Sequence, residues 1–388
     1  MMKKYAFSAL ALTLLAANAS ADANIYGKAN VSFQKLREEV LNDRAVTKDN
    51  YELISNKSRF GIKGDQGIND ALKVVYQMEW EVSLDSGDTG AGHAVKQRNT
   101  YVGLGGDWGT VIAGIHDTPT KMINKPIDIF SDARYGDVEN AMVGEVRQKN
   151  MIMYRSPDWS GVSFDVMVAP GEDSGNHNNI NGTRDTKRHN AINTVSTAVS
   201  YQIKGFKLAL GLDSKVDQKL SIGSIDKGVD GIAGTADDVG STVSYKGETD
   251  LARLVFSYDH PRFGVAAMYQ HAHQSSGDVS TETLTAAAPL VPVVGSVSYG
   301  LAKSEAIDTG AVAGYVKIDN WKIKTLLIQT RLDESAIMFD QAVVGTDYQL
   351  GKNTKVYGYI GDVRASGQHV VWGHNSTTGI GIEHNFSF

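Results

Sequence analysis

The chain contains no cysteine. That excludes a disulfide scaffold, a cysteine-based zinc site and a thiol nucleophile. Proline is scarce at 7 residues, while glycine reaches 40 and tyrosine 16. This balance leans toward one large all-β unit, although 388 residues would also accommodate two or three ordinary domains. Positive charge is not in excess: 38 Lys+Arg stand against 44 Asp+Glu, a formal net charge of −6, which argues against a nucleic-acid binder. Neither G-x-S-x-G nor H-E-x-x-H occurs. The glycine-rich GLGGDWG at 103–109 is followed by a β-like run, not a helix, and is no dinucleotide loop. After the N-terminus no apolar stretch approaches the ~18 residues of a spanning helix, so a helical membrane protein is excluded. A hydrophobic content of 41% is enough for a large core and excludes wholesale disorder.

What is present begins with a leader. Met1, Met2, Lys3 and Lys4 are followed by an apolar run from Tyr5 to Ala17 and by Ala19-Ser20-Ala21. This reads as a secretory signal peptide, residues 1–21, cut after Ala21, with one domain at 22–388. The mature net charge becomes −8, because both lysines leave with the leader. An exported chain without a spanning helix is either soluble or an outer-membrane β-barrel. The mean hydropathy of −0.24 does not separate the two, since alternating strands average out.

Alternation separates them. Leu72, Val74, Tyr76, Met78, Trp80, Val82 and Leu84 are all apolar, while Lys73, Gln77, Glu79 and Glu81 lie between them. That period is two, not 3.6. The pattern recurs at 24–37, 51–64, 71–85, 96–105, 109–116, 149–157, 161–169, 192–204, 205–216, 248–260, 263–274, 310–319, 321–332, 338–350, 354–365 and 375–388. Sixteen strands are expected, most with the 9–11 or more residues a tilted spanning strand needs. Short turns (65–70, 105–109, 157–161, 204–206, 260–264, 319–321, 351–354) alternate with long polar loops (38–50, 86–95, 117–148, 171–191, 217–247, 275–309, 333–337, 366–374). Such segregation by parity is what an up-and-down barrel in an outer membrane shows, with turns toward the periplasm and loops outside. Five short turns carry Trp108, Trp159, Phe206, Phe263 or Trp321, a girdle at one membrane interface. The end strands, NIYGKANVSF and TGIGIEHNFSF, pair in this reading and leave no open edge in hydrocarbon.

With NIYGKANVSF (24–33), SRFGIKG (58–64), RNTYVGL (98–104), WGTVIAG (108–114) and the final Phe388, the chain resembles the trimeric sixteen-stranded general-diffusion porins of Gram-negative bacteria, especially the neisserial and betaproteobacterial branch. The resemblance spans the whole mature chain. It implies a homotrimer in the outer membrane, in contact with lipid and lipopolysaccharide, that passes small hydrophilic solutes. Phe386 and Phe388 in the last strand resemble the signal read by the outer-membrane assembly machinery. No cofactor, metal or nucleic acid is implied.

A porin works by a size limit and by an electrostatic field in a narrow passage. The segment 117–148 is the third external loop. In the family it folds into the lumen as the constriction. Its length marks it as functional or disordered, and Met122, Ile123, Ile127, Ile129, Phe130, Met142 and Val143 favour packing. Its acids are Asp117, Asp128, Asp132, Asp137, Glu139 and Glu145, and its bases Lys121, Lys125, Arg134 and Arg147. Alternation turns Lys28, Lys57, Arg59, Lys63, Lys73, Glu79 and Glu81 inward, because Arg or Lys at mid-membrane costs about 2–4 kcal/mol. Arg98 shares the face of Val102 and Leu104, but an arginine facing lipid is costly and a bulge can rotate it inward, so it is placed on the pore wall. A wall arginine at this place is a family feature.

Departures from the family pattern bear on charge. Relatives read TVRAGR where TVIAGI stands here, so Ile112 and Ile115 replace bases, as does Met153, with Arg155 two residues on. Fewer wall cations and six loop acids imply weak selectivity leaning to cations. Two further groupings are weak. DKGVDGIAGTADD, with Asp226, Asp230, Asp237 and Asp238, distantly matches calcium-loop spacing, but its third place is Gly228; a mobile polar loop is the plainer reading. His271 and His273 form an H-x-H near the outer rim with no third ligand in view. Alternatives to a general-diffusion porin are a solute-specific channel, an outer-membrane barrel enzyme, or a soluble secreted β protein.

Overall fold

The computed structural model describes residues 23–41, 45–87, 95–171, 191–226, 239–276, 283–284, 306–333, 337–367 and 373–388. The leader and the aspartates 230, 237 and 238 lie outside the described residues. The strands are β1 (Asn24–Leu41), β2 (Ala45–Ser55), β3 (Arg59–Asn69), β4 (Leu72–Val82), β5 (Val95–Gly106), β6 (Gly109–Asp117), β7 (Arg147–Arg155), β8 (Val162–Ala169), β9 (Thr194–Ile203), β10 (Phe206–Asp226), β11 (Val239–His260), β12 (Phe263–Ser276), β13 (Thr283–Leu284), β14 (Ala306–Ile318), β15 (Trp321–Leu332), β16 (Ile337–Gly351), β17 (Thr354–Gly367) and β18 (Gly373–Ser387). Each spanning strand pairs antiparallel with its neighbours. β1 meets β18 from Tyr26↔Ser387 to Val40↔Gly373, which closes the sheet into a barrel and leaves no edge.

The barrel has sixteen staves. β13 is a two-residue piece paired with β11 at Gly240 and Ser241. β2 and β3 are halves of one stave, both paired with β1. The single strand expected at 51–64 is thus interrupted at 56–58, where Lys57 takes a positive φ of 47°. Other expected boundaries also move. The loops placed at 38–50 and 217–247 begin as ladder, since β1 runs to Leu41 and β10 to Asp226. An antiparallel pair continues its hydrogen bonds past the membrane rim wherever the chain simply turns back, and no hydropathy change marks that point.

The faces sort as a lipid-spanning sheet requires. Phe33, Val102, Ile152, Leu210, Leu254, Leu327 and Ile360 are exposed on the outside. Trp108, Trp159, Phe206, Phe263 and Trp321 are 38–51% exposed at the short-turn end. Tyr258 (4.4 Å from Phe206), Tyr348 (4.7 Å from Trp321) and Phe164 (5.6 Å from Trp159) thicken this belt.

The core lies inside the barrel. Ile123, Ile127, Phe130, Val138, Ala141 and Met142, all between β6 and β7, pack on inward residues of β9 to β17 such as Ala198, Ala209, Val255, Ala266, Ala313 and Leu326. Small wall residues make this close approach possible. A Cβ on Gly211 would stand 2.9 Å from Ile123, one on Gly345 2.8 Å from Phe130, and one on Gly361 2.6 Å from the Tyr135 carbonyl.

Candidate constriction site

The inserted segment starts with a built turn. Thr118 caps helix α1 (Pro119–Ile123), its Oγ1 accepting from the Lys121 N–H at 3.2 Å, with a proline in the first turn. Thr120 then donates to Asp213 of β10 at 2.5 Å. The returning limb is held by Arg253 of β11, whose side chain is fully buried. Its guanidinium donates to Glu145 (2.8 Å), to the carbonyls of Thr120 (3.0 Å) and Val143 (2.9 Å), and to Gln270 (2.8 Å). Gln218 accepts from the Gly144 N–H at 2.8 Å. The tip is fastened by Gln341, which donates to the carbonyls of Tyr135 and Asp137, and by Tyr359, which donates to Arg134.

The tip crosses to the opposite wall. Asp132 has a φ of 70° and its N–H donates to Asp137 at 3.0 Å, which turns its carboxylate outward from the segment. There it meets Lys28 of β1 and, at 3.1 Å, Arg59 of β3. Lys57, presented by the break between β2 and β3, binds Asp137 at 3.0 Å and Glu139 at 2.5 Å. Arg98 stands on the inner face because β5 bulges opposite Glu79; it donates to Glu79 at 2.8 Å and Glu81 at 2.9 Å. Asp117 is held by Arg147 at 3.1 Å and Lys121 at 3.5 Å. Lys125 is exposed with no carboxylate partner among the described residues, and Arg134 lies over the Tyr135 ring.

Several expected placements change. Lys73 stays near the short turns, half-exposed against Asp65 at 3.0 Å, and does not join the tip cluster. Asp128 and Glu145 do not face the passage: one oxygen of Asp128 is buried without a partner among the described residues, and Glu145 lies behind the segment on Arg253. Ile115 pairs with Thr100, which in turn pairs with Met78, an exposed outward residue, so a base there would not reach the lumen. Ile112 and Met153 do face inward, in a buried cluster with Met151 and Met167 that Met122 covers. His271 lies on the outer face, bound to Asp308 at 2.9 Å. Among the described residues no group of three or more His, Asp or Glu is arranged for a metal.

Residue-by-residue reading missed the anchoring wall, namely Arg253, Gln270, Gln218, Asp213 and Gln341. A signal was available. On β11, Leu251 and Val255 face inward while Leu254 and Phe256 face outward, so the strand is apolar on both sides. A lumen wall facing water has no use for the inner set; a wall covered by protein does.

Electrostatics gives the segment an acid and a neutral margin. Burial acts to raise the Asp132 carboxyl, but Arg59, then Lys28 and Lys57, hold it well below the usual carboxylate range. Burial raises Glu145 to about 7 against the pull of Arg253 and Lys121, and raises Asp128 too, with Asp137, Glu145 and Asp132 adding to it. The depressed Asp132 stabilises the tip above its unfolded value of about 3.9, a contribution lost as pH falls through the lower folded value. The raised Glu145 does the reverse: its contribution is full below about 4.3 and is lost as pH rises through about 7. Anchorage of residues 118–146 is therefore expected to be firmest near pH 4, to weaken as pH rises toward 7, and to gain nothing above it. Hydrogen exchange of that segment, corrected for intrinsic pH dependence, checks this; protection that keeps rising from pH 7 to 9 would contradict it.

Comparison with known proteins agrees with this architecture. A family model described as Gram-negative porin matches residues 6–368. The major outer membrane protein P.IB of Neisseria gonorrhoeae is 26% identical over 365 residues, 91% of each chain; a shorter match reaches 29% over 181 residues, 45% of this chain and 51% of that one. P.IB of Neisseria lactamica is 25% identical over 398 residues, covering 99% of this chain and all of that one. Among solved structures, an anion-selective porin from Comamonas acidovorans superposes with a TM-score of 0.64 at 17% identity, covering 95% of this chain and 100% of that one. OmpT of Vibrio cholerae in its trimer form gives 0.58 at 14%, covering 95% and 100%.

Proposed function

Since the chain belongs to the Gram-negative porin family, we propose that residues 118–146 form the constriction of its channel, braced by Lys28, Lys57 and Arg59 on one wall and by Arg253 on the other. The protein is an outer-membrane porin, a water-filled passage for small hydrophilic solutes, and not an enzyme. Transport is passive diffusion with a size limit, so what the residues contribute is width and field. The observation that carries the constriction reading is the tip crossing from the β15–β17 wall to Lys28 and Arg59.

The field follows from the pairing of the acids. Six free loop acids would favour cations. In this geometry Asp132, Asp137, Glu139 and Asp117 each face a base, and Asp128 and Glu145 turn away from the passage. Lys63, Lys125 and Lys207 line the inside without a carboxylate within 4 Å among the described residues. The balance supports weak selectivity with anions slightly ahead. A homotrimer in contact with lipopolysaccharide, inserted by the outer-membrane assembly machinery that reads the last strand with Phe386 and Phe388, completes the reading; its support is family membership and the trimer form named for OmpT.

Planar-bilayer recording of the folded protein under a KCl gradient tests it. Stepwise conductance is expected, with a small reversal potential of chloride sign. A potassium-signed potential would return the field to the loop acids. No conductance from folded, heat-modifiable protein would overturn the channel reading.

A further inference from the structure

On the inner wall below the constriction, Lys317 of β14 and Lys322 of β15 are direct cross-strand partners. Both face the lumen: they continue the inward rows that hold buried Ala311 and Ala313 on one strand and Leu326 and Ile328 on the other. Like charges opposed in a ladder destabilise it. Neither ammonium has a carboxylate within 4 Å among the described residues. Instead both flank one ring, Lys322 at 3.9 Å and Lys317 at 5.1 Å from the centre of Tyr315. The next inward pair is Tyr315 and Lys324.

The surrounding acids are already taken. Asp347, opposite Lys322 in the ladder, is bound by Lys324 at 2.8 Å and Lys355 at 3.3 Å. Glu383 lies 3.6 Å from Lys355, and Asp259 accepts from the Tyr315 hydroxyl. Above, Lys324 reaches the Ile129 carbonyl at 3.3 Å and lies over the Phe130 ring, so the cluster sits directly under the constriction segment. Below are the short turns at 319–320 and 352–353. The unsatisfied pair therefore stands on the periplasmic side of the narrow zone.

We propose that Lys317 and Lys322 form a docking site for compact dianions, phosphate groups in particular, on the periplasmic side of the constriction. A dianion between two opposed ammonium groups relieves their repulsion and offers oxygens to both. A monovalent anion neutralises only half of the pair. Lysine suits this task as a point-charge phosphate binder. The site gives solutes carrying a phosphate a residence step that chloride lacks. It rests on the channel reading above, and its test is arranged so that the two fail separately.

The test is single-channel recording in KCl at about pH 7.4, where more than half of inorganic phosphate is dianionic and both lysines carry charge. Phosphate is added to each side in turn, with acetate as the monovalent control. Phosphate is expected to reduce chloride current from one side at lower concentration than from the other, and acetate is not. In the double variant Lys317→Gln/Lys322→Gln the half-blocking phosphate concentration rises about tenfold, the loss of one decade of affinity. Lys317→Arg/Lys322→Arg keeps the block and shows that charge, not wall integrity, is read. Lys73→Gln, at the same end but paired with Asp65, leaves it unchanged. Conducting channels without a phosphate block, or with the same block in the glutamine variant, overturn the site and leave the porin. Absence of conductance in folded wild-type protein overturns the porin reading itself.

Discussion

Replacing Arg253 by leucine is expected to release the constriction from its wall and to raise and destabilise single-channel conductance. The guanidinium is the junction of both limbs of the segment, since it binds Thr120 on the way in and Val143 and Glu145 on the way out. Its removal leaves Glu145 buried without its charge partner, so the carboxyl is driven to take up a proton and the three hydrogen bonds that tie both limbs are lost. The barrel itself should survive, because its ladders do not run through this side chain; heat-modifiable migration is expected to stay normal. Arg253→Leu combined with Glu145→Leu should recover part of the loss, since an apolar pair in place of a buried ion pair is often tolerated. Unchanged conductance with unchanged hydrogen exchange at 118–146 would show that the rest of the packed face holds the segment alone.

The second large effect is electrostatic. Asp132→Asn keeps the size of the tip residue and removes the one carboxylate that, among the described residues, Lys28 and Arg59 share. Two bases then face the passage uncompensated. A unit charge at 4 Å in water-like surroundings is worth about 1 kcal/mol, so the chloride-to-potassium permeability ratio should rise about fivefold. Lys28→Gln with Arg59→Gln should move the ratio the other way, leaving Asp132 to attract potassium. Reversal potentials in a KCl gradient measure both. If neither variant shifts the potential, the conducting path does not pass this pair, and the brace is only structural.

Much of this molecule was legible one strand at a time. Residues 72–84 announce their two faces because lipid accepts only the apolar one, and β4 occupies that stretch with Val74, Tyr76 and Met78 on the outer side. The inward direction of Lys28 and Arg59 follows from the same cost. The break at Lys57 was not legible, because a positive φ leaves no mark in the hydropathy pattern. Arg98 shows where alternation stops sufficing: its parity matches that of Val102, and only the bulge opposite Glu79 turns it inward.

The barrel is written along the chain: the export leader as an expectation, the period-two strands, the order of short turns and long loops, and the aromatic end. These are local consequences of one solvent, hydrocarbon, acting on each strand separately. Which charges the passage contains emerges only from the folded arrangement. Asp132, Asp128 and Glu145 look alike along the chain, yet the first meets Lys28 and Arg59, the second has a buried oxygen without a partner among the described residues, and the third lies behind the segment on Arg253. Lys317 and Lys322 become a pair only through the β14–β15 register. Charge interactions depend on distances between residues far apart in sequence, and those distances exist only once the segment has folded inward onto a particular wall.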